Sequence, residues 1–199
     1  MGNKKDAPNV APAGRSYFSC SLSPARLRAV IVIVSGVAGS GKTTVGTRLA
    51  KRLGWRFADA DSFHSAANVA KMHAGIPLTD ADRAPWLRAI TGWMDDLEAG
   101  GESGVITCSA LKRRYRDELL AGRPSARMVF LEVSKEDLAQ RLSHRMGHFF
   151  PEKLLDSQLA AFEPPASDER VLIQQEDGGP AQTVDEIVTR LGLDPQPTA

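Results

Sequence analysis

Residues Gly36 to Thr43 read GVAGSGKT and match the pattern G-x-x-x-x-G-K-[ST]. Glycines in such a run let the backbone curl until successive N–H groups converge on one point, and the helix that follows adds positive potential there. The chemistry implied is the binding of nucleotide phosphates. Lys42 can bridge the β- and γ-phosphates of ATP, and the Thr43 hydroxyl can be offered to Mg²⁺. Gly36, Val37, Ala38, Gly39, Ser40, Gly41, Lys42, Thr43 and Thr44 are therefore the ATP-binding candidates. Downstream, Asp59 and Asp61 form D-A-D. If a strand carries them, its alternation turns both carboxylates to the same cleft, where one can serve a metal and the other a base. A solvated acidic turn capping the next helix is the competing reading. Further along, Arg141 and Arg145 stand four residues apart, on one helix face, within reach of the same phosphates. For Arg141 a merely basic, solvated helix face is nearly as good an account.

These residues need elements to hold them in place. Ala29 to Ser35 (AVIVIVS) is a β-branched run ending in glycine, the mark of a strand buried on both faces of a parallel sheet. Val45, Leu49 and Leu53 then recur at i, i+4 and i+8 before Gly54, which predicts a helix over Lys42 to Leu53. The glycine loop thus lies between strand and helix, as its pattern requires. Arg56 to Ala60 reads as a short second strand and Ala66 to His73 as a helix. Thr79 with Asp82 resembles a capping box ahead of a long helix striped by Trp86, Leu87, Ile90, Trp93, Met94 and Leu97. GVITC (104–108) and MVFLEV (128–133) are two more buried strands. Val171 to Gln174 is a last strand, followed by a helix on Val184, Ile187, Val188 and Leu191. Alternating strands and helices mean a doubly wound α/β fold on a parallel sheet.

Composition limits the function classes. With 199 residues, 42% of them apolar, the chain suits one domain, and a net charge of +1 provides no global field for nucleic acid or an anionic membrane. There are two cysteines, Cys108 and, in the unstructured-looking tail, Cys20, which argues against a disulfide framework and fits a reducing, cytoplasmic setting. Residues 1–28 lack periodic apolar positions and read as a disordered tail, leaving a single domain over 29–195. A transit peptide is an open alternative for that tail, whereas Asp6 weakens a myristoylation motif at Gly2. The one Asn-Lys-x-Asp tetrapeptide, Asn3 to Asp6, lies in the N-terminal tail ahead of the glycine loop and on none of the fold's strands, which argues against a guanine-nucleotide switch. Nor does a carboxylate follow the third strand, where Cys108 and Ser109 stand, so metal handling falls to Thr43 and Asp59.

FADADSFHSAANVAKMHAGIPLTDADRAPWL, then TCSALKRRYRDELL, then RLSHRMGHFF, resemble the gluconokinase family from Val30 to about Gly192. That resemblance implies a five-stranded parallel sheet ordered 2-3-1-4-5, akin to nucleoside monophosphate and shikimate kinases, with a short lid over about 141–157. It implies ATP and Mg²⁺ as cofactors and D-gluconate as the small-molecule partner, with a homodimer left open. It makes Lys42, Asp61 and Arg145 catalytic, with Asp61 the base on the acceptor hydroxyl, and sets Thr43 and Asp59 near the metal. It gives Asp61, His64, Arg83, Lys112 and His148 to the acceptor. An aldonate carboxylate suits the planar fork of Arg83, although Arg83 could instead be a surface charge paired with Asp80 or Asp82. Cys108 reads as a small buried side chain rather than a nucleophile, and Tyr115, Arg116 and Asp117 as braces of their helix. A kinase of shikimate or another polyol acid is the nearest alternative. A nucleotide-binding module without turnover is the more distant one.

Overall fold

The computed structural model describes residues 29–134, 137, 138, 141, 158–175 and 178–193. The β-branched run forms β1 (Ile31–Ser35), buried at all five positions. It pairs in parallel with β3 (Gly104–Thr107) on one side and β4 (Ala126–Glu132) on the other. Beyond these lie β2 (Arg56–Asp59) and β5 (Val171–Gln175), giving the order β2-β3-β1-β4-β5 that the resemblance implies.

Burial on both faces follows from helices on both faces. α1 (Lys42–Leu53) and α5 (Gly179–Leu191) cover one side, and α3 (Asp80–Gly100) and α4 (Arg113–Leu120) the other. Successive β1 residues alternate between the two cores. Val32 and Val34 pack with Val45, Leu49 and Leu53 of α1, whereas Ile31 and Ile33 pack with Trp86, Leu87, Ile90 and Met94 of α3. The predicted stripes of both helices are thus their buried faces.

Caps set the helix starts that matter to the site. Thr79 and Asp82 form the reciprocal capping box ahead of α3, and the Ser65 side chain caps α2 (Ala66–His73) by accepting from Asn68 N. α1 has no side-chain cap. Its N-cap is Gly41 at φ 87°, which leaves the first N–H groups of the helix facing the glycine loop.

Two of the boundaries that differ from expectation concern the site. β2 stops at Asp59, and Ala60–Phe63 coil into a 3₁₀ turn instead of ending the strand. β3 stops at Thr107, so Cys108 begins the loop that follows. The expected lid falls mostly outside the described residues, as do Arg145 and His148.

Candidate active site

The glycine loop leaves the carboxyl end of β1, the central strand, where ligands of open α/β sheets bind. Gly36 has φ 147°, and a Cβ there would lie 2.6 Å from Ser40 Oγ and 3.1 Å from the Leu131 carbonyl. Only glycine lets the chain turn this tightly over β4. Gly39 and Gly41 are also left-handed, at φ 84° and 87°. Val37 and Ser40 are buried beneath the loop while Thr43 and Thr44 are exposed at its helical end. The Lys42 ammonium donates to the Val37 carbonyl at 2.9 Å, folded back across the loop it would serve.

Asp59 and Asp61 do come together, by a different device from strand alternation. Asp59 is the N-cap of the 3₁₀ turn, and its Oδ1 accepts from Asp61 N at 3.1 Å. Its other oxygen, Oδ2, accepts from Thr43 Oγ1 at 3.3 Å. A hydroxyl and a carboxylate thereby meet at the start of α1, a hard-oxygen pair of the kind Mg²⁺ takes. Among the described residues no group of three His, Cys, Asp or Glu side chains could hold a metal alone. Such a pair suits a Mg²⁺ that draws its remaining ligands from phosphate and water. Asp61 keeps an opening to solvent, yet the surrounding protein wall, with the Asp59 charge as the second cause, raises its carboxyl above the ordinary range; Lys42 opposes this.

Asp61 forms one wall of a pocket of about 250 Å³ with His64, Arg83, Trp86, Lys112 and Tyr115. Trp86 is 6% exposed and donates its indole N–H to the Ala60 carbonyl at 2.7 Å, which fixes the turn next to Asp61. His64 stacks on Trp86, with ring centroids 4.7 Å apart and planes 8° from parallel. Burial, then the Arg83 charge, pushes the His64 imidazolium down in pKa, so the ring is neutral at pH 7. Its Nδ1 is buried and has no hydrogen-bond partner among the described residues. Arg83 and Lys112 both approach the Tyr115 ring, each 5.8 Å from its centroid. The pairing of Arg83 with Asp80 or Asp82 does not occur. Lys71 takes Asp82 at 2.7 Å, and Tyr115, Arg114 and Lys112 take Asp80, while Arg83 donates to the Leu78 carbonyl. Arg83 is thereby left facing the pocket.

A family described as AAA domain matches residues 31–165. The chain is 46% identical over 162 residues to the gluconokinase of Gluconobacter oxydans, covering 81% of this chain and 91% of that one. The chain belongs to the gluconokinase family. Among solved structures, a gluconokinase from Sinorhizobium meliloti is 41% identical with a TM-score of 0.72, covering 83% of this chain and 93% of that one. A sugar kinase from Janibacter sp. is 46% identical with a TM-score of 0.78, covering 84% and 96%.

Within this gluconokinase-family chain, sequence reasoning reads Arg116 as no more than a helix brace. It is more than a brace of α4. Its side chain is fully buried and doubly paired with Glu169, whose side chain is 2% exposed, at 2.6 and 2.8 Å. Nη1 donates to the carbonyls of Ala110, Leu111 and Glu163. Ala110 is the one described non-glycine residue with a left-handed backbone, φ 42°, and it lines the pocket. One guanidinium thus ties the Ser109–Lys112 loop to the segment 163–169. Tyr115, likewise read as a brace, is part of the pocket. Cys108 is fully buried, which pushes its thiol to about 12 and makes it the inert side chain expected. Arg141 is half-buried in helical backbone and engaged by neighbouring groups.

Proposed function

We propose that this chain transfers the γ-phosphoryl group of ATP to the distal hydroxyl of D-gluconate, giving ADP and 6-phospho-D-gluconate. The observation that carries this reading is one pocket holding the Asp61 carboxylate beside two cations, Arg83 and Lys112. A hydroxyl to be deprotonated and a single carboxylate to be neutralised describe a hydroxy acid of modest size.

The loop from Gly36 to Thr44 cradles the phosphates, and Lys42 swings from the Val37 carbonyl onto the β- and γ-oxygens. Thr43 and Asp59 would hold Mg²⁺, which would supply positive charge against the phosphates. Asp61 accepts the hydrogen bond of the acceptor hydroxyl, aligns it with the γ-phosphorus and takes its proton. A carboxyl raised above the ordinary range is better matched to that task than an unperturbed one. Arg83 offers the carboxylate a two-pronged contact, Lys112 a second charge, and neutral His64 a buried nitrogen for a sugar hydroxyl. Arg141 reaches the phosphates. Arg145 and His148 complete the phosphate and acceptor contacts on the strength of their segment's family resemblance. The kinase domain spans 29–195, and a chain with two cysteines suits the cytoplasm.

An acceptor panel with ADP release as readout tests the proposal. Gluconate should turn over faster than other aldonates, shikimate or nucleoside monophosphates. Faster turnover of shikimate or of a nucleoside monophosphate would replace it.

A further inference from the structure

Helical residues 158–161 bring Gln158 to the junction of the two half-sites. Its Oε1 accepts from the backbone N–H of Ala38 at 3.1 Å, a contact between positions 120 residues apart. The same side chain lines the acceptor pocket with Asp61, Arg83 and Lys112. It belongs to both the phosphate loop and the acceptor site.

The orientation of its amide is decided by chemistry. Ala38 N–H can only donate, so the carbonyl arm must face it and the NH₂ arm must be the other one. Among the described residues nothing accepts from that NH₂. The segment is firmly seated. Phe162 packs on the cluster of Val37, Leu111 and Leu138 and stacks on Phe130, with centroids 5.4 Å apart. Glu163 N donates to the Leu111 carbonyl at 2.9 Å, and Arg113 N donates to Glu163 Oε2 at 2.7 Å. Gln158 is therefore presented by a short element fastened to both substrate-facing loops.

We infer that Gln158 is a catalytic residue of the transfer: its oxygen holds the third residue of the phosphate loop, and its NH₂ donates to the γ-phosphoryl group in passage. This rests on the phosphoryl-transfer reading above. In that step the bond from the γ-phosphorus to the ADP oxygen breaks, the acceptor oxygen bonds to phosphorus, and its proton goes to Asp61. Gln158 gives up no proton. It contributes a fixed donor where negative charge spreads over the moving oxygens. Being neutral, it favours the γ-group without adding to the affinity for ADP.

The test uses the full chain with Gln158→Glu and Gln158→Met, measuring ADP and AMPPNP affinity by calorimetry and kcat with gluconate and ATP. Glu keeps an oxygen toward Ala38 but removes the donor and adds a charge. Its AMPPNP affinity should fall roughly tenfold or more while ADP affinity stays within about threefold. Its kcat should fall about 10²-fold, as for a lost transition-state donor. Met, uncharged and similar in length, should also lose more affinity for AMPPNP than for ADP. Parallel losses for both nucleotides would make Gln158 a brace of the loop only, and a kcat within threefold of wild type in both variants would overturn the inference. Nucleotide binding needs no acceptor, so a chain that ignores gluconate would overturn the proposed substrate while this comparison still decides the role of Gln158.

Discussion

The phosphate loop and the acceptor pocket share one crevice, yet they are made of different materials. The loop is backbone: left-handed glycines at 36, 39 and 41 aim N–H groups, and α1 starts without a side-chain cap. The pocket is side chains locked to one another: Trp86 on the Ala60 carbonyl, His64 on Trp86, Tyr115 on Asp80, Arg83 over Tyr115. Phosphate is recognised by the direction of amides, which many sequences can supply. A particular acceptor is recognised by which side chains stand where. Damage to the loop should therefore appear in nucleotide affinity, and damage to the pocket in transfer or in stability.

Asp61→Asn should show the largest separation. It keeps the shape and removes the base, so kcat should drop by about 10² to 10⁴ while ADP affinity changes little. A large loss of ADP affinity would move Asp61 to the metal side. In the wild type, kcat should fall on acidification with a midpoint above the ordinary carboxylate value of 3.8, because the raised carboxyl must be ionised to act. The stability consequence has the opposite sense. The native chain holds this proton at pH values where the unfolded chain has released it, so the cost to folding is absent below about 3.8 and grows as pH rises through the native value. Asp61→Asn should accordingly raise Tm at neutral pH and lose that advantage in acid.

Next in size is Arg116→Met, which leaves the Glu169 carboxylate buried without its partner. Breaking a buried pair on one side costs about 3–5 kcal/mol, measurable by urea unfolding. The double variant Arg116→Met/Glu169→Met should recover much of that loss. If the single variant unfolds like the wild type, the pocket does not depend on its side-chain scaffold as described. Smaller again is Gly36→Ala on the loop side. Strain at the left-handed position should cost roughly 1–3 kcal/mol of stability, and ADP affinity should weaken as the loop is displaced. Unchanged ADP binding would mean the loop tolerates a side chain that its contacts with Ser40 and Leu131 leave no room for.

The same contrast explains what could be read in the sequence. The phosphate loop is eight contiguous residues whose pattern carries its own mechanism, and the strand and helix around it were equally plain. Strand order and the acceptor residues beyond the Asp59–Asp61 pair became legible only through family resemblance, because their segments are scattered along the chain. The approach of Asp59 to Asp61 was expected for the wrong reason. A strand would place both on one face, but a 3₁₀ turn capped by Asp59 itself does so. The indole bond of Trp86 was hidden within an apolar stripe that predicted only burial. Arg116 and Gln158 had no local signal at all, since their partners lie 53 and 120 residues away. Spacing rules report neighbours on one element and are silent about such closures.

Cys108 has a practical consequence. With a thiol held near 12, the ionised form is on the order of one part in 10⁵ at pH 7, so alkylating reagents and oxidants find almost nothing to attack beside the acceptor pocket. Modification of Cys108 must wait for the sheet to open. Its labelling rate with iodoacetamide, read by mass spectrometry of the peptide containing it, is then a clock for that opening, installed by the chain itself at the third strand's exit. Nucleotide and gluconate should slow that clock, each by the extent to which it binds the closed form alone.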